Sequence, residues 1–108
     1  MAWVVETRNG IVDAEVSALP MDMRAQLSRI SFLMEEFGVE KMREPHVKHL
    51  QGPLWEMRLR GRDGISRAIY VTAPGQRIVI VRAFMKKTQK TPNREIALAL
   101  SRAKEIGI

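Results

Sequence analysis

Two groups of cationic side chains in this 108-residue sequence have the types and spacing for chemistry on an anion. In residues 54–60 (Leu-Trp-Glu-Met-Arg-Leu-Arg), alternation puts Glu56, Arg58 and Arg60 on one side of a strand and Trp55, Met57 and Leu59 on the other. Arg58 beside Arg60 repels unless something anionic lies over both. Arg67, on the next predicted strand, can approach that row in a register the sequence leaves open. Converging guanidinium groups form planar forks that bind phosphate oxygens and stay charged at any physiological pH. The plain alternative is a hydrated face of an antiparallel sheet. The second group is Lys86-Lys87-Thr88-Gln89-Lys90, just ahead of a predicted helix. The unpaired N–H groups and positive dipole end of that helix would strengthen a phosphate dock. A solvated basic loop is the ordinary alternative.

Other residue types are less directed. His46 and His49 lie three apart with Lys48 between them and Glu44 as the only nearby acid. That set is short of ligands, so no metal is expected. Trp55, Tyr70 and Phe84 have rings able to stack on bases; Trp55 and Phe84 are assigned to the core, and Tyr70 is left open. Cysteine is absent, which excludes disulfides, zinc-thiolate sites and thiol catalysis. No Gly-rich phosphate loop, Ser/His/Asp set or metalloprotease signature is present.

The charge is uneven. The formal net charge is +6. Residues 1–40 carry three basic and seven acidic side chains, whereas residues 41–94 carry thirteen basic and three acidic ones. A half-domain this basic suits a polyanionic partner, because each cation placed on a phosphate releases counterions. No run approaches the roughly 20 apolar residues of a membrane span. The N-terminus lacks the pattern of a signal peptide. A cytoplasmic address without a membrane partner is therefore expected.

These side chains need a scaffold, and the length suits a single domain over 1–108. Residues 2–8 are rich in β-formers and end at Asn9-Gly10, a turn signal. Asp13 is placed to cap a short helix over 14–19. Pro20 suits the first turn of a second helix, whose apolar stripe is Met23, Leu27, Ile30, Met34 and Phe37, with Gly38 as its stop. Residues 39–53 read as a loop with a helical turn. Strands follow at 54–60, 65–72 and 77–84, the last being the most apolar and expected at the sheet centre. Thr91-Pro92 marks a helix start, and Ile96, Leu100, Ala103 and Ile106 give that helix its stripe. The predicted order, β-α-α-β-β-β-α, is an α+β domain: a mainly antiparallel twisted sheet with helices packed against it.

Three stretches together resemble one family: Arg43-Glu44-Pro45-His46-Val47-Lys48-His49-Leu50, the 54–60 strand with Arg67-Ala68-Ile69-Tyr70, and Arg82-Ala83-Phe84-Met85-Lys86-Lys87-Thr88-Gln89-Lys90-Thr91-Pro92. The chain resembles the phage-derived, HigB-like branch of the RelE/ParE toxin superfamily. The resemblance implies the RelE-like fold and the toxin of a type II toxin–antitoxin pair, a ribosome-dependent mRNA endonuclease. The implied reaction needs no metal or other cofactor: the ribose 2′-OH attacks the adjacent phosphate, giving a 2′,3′-cyclic phosphate and a 5′-OH. By this resemblance Arg67 stabilises phosphate charge, and Lys87 or Lys86 binds phosphate or helps the leaving group. Arg58 and Tyr70 also match family positions. Glu56 stands where some superfamily nucleases carry a lysine proposed as the base, so it is a base candidate or an orienting partner of Arg58. Arg60, Tyr70, Arg82, Lys90 and Lys48 are assigned to RNA contact. The implied partners are a helix-turn-helix antitoxin, the ribosome and mRNA. Replacing Arg67 or Lys87 by alanine is expected to abolish toxicity with the fold intact. Two other readings stand beside this one: a ParE-like protein that poisons gyrase by binding, and a non-catalytic RNA-binding phage regulatory protein.

Overall fold

The computed structural model describes residues 3–42, 45–87 and 89–108. Arg43, Glu44 and Thr88, parts of the stretches that carry the resemblance, lie outside the described residues, as do Met1 and Ala2. Five strands form one sheet: β1 (Val4–Thr7), β2 (Val47–Gln51), β3 (Leu54–Gly61), β4 (Gly64–Ala73) and β5 (Arg77–Lys86). Their order is β1-β5-β4-β3-β2, antiparallel except where β1 runs parallel to β5. Helices α1 (Gly10–Ser17) and α2 (Met21–Phe37) lie between β1 and β2, and α3 (Asn93–Glu105) ends the chain.

Alternation along the strands explains why both sheet faces are covered. Met57, Leu59, Ala68, Tyr70, Ile78 and Ile80 point to one side and pack with Val12 of α1 and Met23, Leu27, Ile30 and Met34 of α2. Leu54, Ile69, Val71, Val79, Val81 and Phe84 point to the other and pack with Ala99 and Ala103 of α3. The register of β5 against β4 shifts between Ile69 and Tyr70, leaving Val81 outside the paired series. This bulge lets Val81 and Phe84 both join the α3 core. The Val81 carbonyl accepts from Arg102 Nη1 at 2.7 Å.

Side chains cap the parts of the sheet edges that lack a neighbouring strand. Where β3 runs past β2, Gln26 Oε1 accepts from the Arg60 N–H at 2.9 Å and Asp22 Oδ2 from the Arg62 N–H at 2.7 Å. Where β5 runs past β1, Glu15 Oε1 accepts from the Ala83 N–H at 3.2 Å. Such caps satisfy donors that would otherwise recruit another strand. A Cβ at Gly61 would lie 2.6 Å from the Asp22 carboxylate, so a larger residue there would displace that cap.

Five sequence expectations change. Phe37, read as part of the α2 stripe, is 63% exposed at the last turn of that helix. Residues 47–51, read as loop, form the edge strand β2, whose polar Lys48, His49 and Gln51 hide its period. The first helix begins at Gly10, because Asn9 rather than Asp13 caps it by accepting from the Ile11 and Val12 N–H groups. The central strand is β4, with β5 beside it. Trp55, assigned to the core, is 39% exposed, its ring beside that of His49 on the edge strand β2. Among the described residues no helix is long and apolar enough to cross a membrane.

Candidate functional site

The site lies on the α3 side of the sheet, beyond the part that α3 covers. Lys48 pairs with Glu56 across β2 and β3, Arg58 with Arg67 across β3 and β4, and Ile65 with Lys86 across β4 and β5. Alternation then places Lys48, Glu56, Arg58, Arg67 and Lys86 on one face, from four adjacent strands. Arg60 is on this face of β3 and exposed, while Lys87 and Lys90 are exposed on the connection leading to α3. Lys86, from the second sequence segment, thus shares a face with the cations of the first.

At the centre is a buried network. Glu56 is 0% exposed, Arg67 2% and Thr91 3%. Arg67 Nη1 is paired with Glu56 Oε1 and donates to Thr91 Oγ1 at 2.7 Å; its Nη2 donates to the Gln89 carbonyl at 2.8 Å. The Thr91 hydroxyl in turn donates to Glu56 Oε2 at 2.8 Å. Arg58 Nε lies 3.6 Å from Glu56 Oε1, an ion pair longer than a hydrogen bond. Among the described residues, Arg58 Nε and Arg67 Nε are buried donors with no hydrogen-bond acceptor. Buried donors are normally satisfied, so these two are exceptions on a directly paired set of arginines.

Lys86 stands at the edge of this network. Burial pushes its ammonium below the ordinary lysine range. Repulsion from Arg67, Arg58 and Lys48 adds to that push, and Glu56 pulls the other way.

Other predicted contacts fall elsewhere. Tyr70 is on the opposite face, 2% exposed in the core with α2, so its ring is closed to a base on the cationic face. Burial raises its phenol well above the ordinary tyrosine range. Arg82 is on the cationic side but is held by Glu95, through Nε at 2.8 Å and Nη2 at 3.1 Å, and by Glu15 at 2.9 Å. The Glu95 bond raises its pKa further, against the effect of burial. It anchors α3 to β5 and α1. His49 Nε2 is 2.9 Å from the Gly52 carbonyl, and its ring packs at 4.8 Å on that of Trp55. Among the described residues no three His, Cys, Asp or Glu side chains are grouped to hold a metal.

Sequence reading missed Thr91, which it assigned to a helix cap. The residue preceding α3 is Pro92, which makes no side-chain cap, and the Thr91 hydroxyl belongs to the buried network instead. No local pattern distinguishes these two uses of a threonine before proline.

A mixed five-stranded sheet with two helices on one face and one on the other is the RelE-type fold. The chain is similar over its full length to all of a free-state mutant of the E. coli toxin RelE, with a TM-score of 0.64 and 17% identity. It is also similar to a chain of the archaeal RelE–RelB complex from Pyrococcus horikoshii OT3 over 77% of its own length and 93% of that chain, with a TM-score of 0.56 and 24% identity. At these identities the likeness is one of fold. No curated protein matches the sequence significantly. Within this fold the chain belongs to the family described as Phage derived protein Gp49-like (DUF891), which matches residues 14–104.

Proposed function

We propose that this chain is the toxin of a toxin–antitoxin pair and that it cuts mRNA on the ribosome. The observation that carries the reading is the convergence of Lys48, Arg58, Arg67 and Lys86 on one face, with Glu56 as the single carboxylate among them. A phosphodiester lying over Arg58 and Lys86 would offset the mutual repulsion.

In the proposed reaction the ribose 2′-OH loses its proton and attacks the adjacent phosphorus. The bond to the 5′ oxygen breaks and that oxygen takes up a proton, leaving a 2′,3′-cyclic phosphate and a 5′-OH. Arg58 faces the developing phosphorane charge, where positioned cations are most effective. Lys87, Arg60, Lys48 and Lys90 bind the flanking backbone. Glu56 is poorly placed as the base, because Arg67 and Thr91 occupy its two oxygens. Lys86 suits proton transfer better, since it stands at the edge of the network and burial with the neighbouring arginines eases loss of its proton.

Two partners accompany this reading. The message must be presented in the ribosomal A site. A helix-turn-helix antitoxin must neutralise the chain, with anionic side chains covering the cationic face. The test is incubation of the purified chain with programmed ribosomes and analysis of the product ends. Cyclic-phosphate 3′ ends and 5′-OH ends that appear only with ribosomes support the proposal. An intact message, or ends of other chemistry, refutes it.

A further inference from the structure

We infer that Glu56 and Thr91 are positioning residues, which act through the buried Arg67 guanidinium to fix the lysine-bearing connection between β5 and α3 over the cationic face. The inference rests on the nuclease reading and assigns new roles within the same site. Arg67 is too enclosed to be a surface clamp: it is 2% exposed, and both its Nη atoms are engaged. Its bonds instead join parts of the chain far apart in sequence. The bond to Gln89 spans 22 residues, that to Thr91 spans 24, and the Thr91–Glu56 bond spans 35. One guanidinium thereby ties β4 to β3 and to the segment that carries Lys87 and Lys90. A planar group with several fixed donors is suited to such a junction.

Glu56 has a second effect. The groups facing Lys86 are Lys48 on β2, Glu56 and Arg58 on β3, and Arg67 on β4, with Lys87 and Lys90 on the connection. Glu56 is the one carboxylate in that set, and it holds the Lys86 ammonium up against the cations.

The experiment compares Thr91→Ser, Thr91→Val and Glu56→Gln in the full chain. On programmed ribosomes, Thr91→Val should lower kcat by about 10²-fold with KM little changed, as expected for displaced groups, and Thr91→Ser should restore it. Amide exchange at Lys87, Gln89 and Lys90 should quicken in Thr91→Val and not in Thr91→Ser. The Lys86 titration midpoint, followed by NMR, should fall in Glu56→Gln. Thr91→Val that is as active and as protected as the wild type overturns the inference. So does equal impairment of both Thr91 variants, or a Lys86 midpoint that Glu56→Gln leaves in place. If Glu56→Gln does not fold, the Thr91 pair decides. A wild-type chain that cuts nothing ends the nuclease reading instead, and exchange and titration then judge the positioning role alone.

Discussion

Arg58 and Arg67 are directly paired across β3 and β4 on the same face of the sheet, and one buried carboxylate, Glu56, serves both. The two arginines nevertheless differ. Arg67 is enclosed by the network, whereas the Arg58 side chain keeps 24% of its surface accessible. Arg67 therefore organises the site and Arg58 presents charge from it. With Lys86 alongside, the face holds more positive than negative charge in a partly desolvated place, a costly arrangement when empty.

Removing a surplus cation should separate activity from stability. Arg58→Ala and Lys86→Met are expected to abolish growth arrest on induction. Lys86→Met should also raise Tm, because the folded state disfavours the charged ammonium. The folded-state pKa of Lys86 is lowered, so the wild type should gain stability as pH rises from neutrality towards the ordinary lysine value of 10.5, and Lys86→Met should lose that gain. Thermal melts across that pH range check both signs.

Arg67→Ala should behave differently. It strands the buried Glu56 carboxylate, a change that costs about 3–5 kcal/mol in comparable pairs. That is a large share of a typical domain stability of about 5–15 kcal/mol. The expectation from sequence that this variant keeps its fold is thereby revised: toxicity should disappear together with cooperative folding. Replacing both partners, as in Glu56→Leu with Arg67→Met, should recover much of the melting temperature and no toxicity. Circular dichroism melts of the single and double variants measure this.

Tyr70 provides a clean alkaline probe, since it is the only tyrosine. Burial raises its folded-state pKa, so above about pH 10, where an unfolded chain would ionise it, stability should fall with rising pH. Tyrosinate absorbance should stay low past that pH and then rise together with unfolding. A smooth, reversible titration near pH 10 in the folded chain would place the ring in water.

Salt dependence should resolve which cations meet phosphate. For single-stranded RNA each neutralised phosphate contributes about −0.7 to the slope of log affinity against log salt. Arg58→Ala, Lys87→Ala and Lys48→Ala should each reduce the slope by about that amount. Arg82→Ala should leave it nearly unchanged, because Glu95 and Glu15 already hold that guanidinium. Binding titrations at several salt concentrations distinguish these groups.

Much of this architecture is legible in the sequence wherever the period is clean. The stripe of Met23, Leu27, Ile30 and Met34 gives α2, and Gly38, at φ +84°, ends it as read. The alternation in 54–60 correctly separates Glu56, Arg58 and Arg60 from Met57 and Leu59. Strand β2 is illegible because an edge strand with polar positions has no period that sets it apart from loop. The site is legible as composition and not as geometry. Nothing local says that Arg67 pairs with Arg58, that Glu56 is sealed beneath the connection, or that the Thr91 hydroxyl turns away from the helix. Those facts depend on strand register and on contacts 22 or more residues apart.

The most direct test of the central claim is induced expression followed by transcriptome-wide mapping of 5′ ends. The account predicts new 5′-OH ends inside translated frames, lost when translation is blocked and absent in the Arg58→Ala and Lys86→Met strains. Growth arrest with unbroken transcripts, or cuts indifferent to translation, would contradict it.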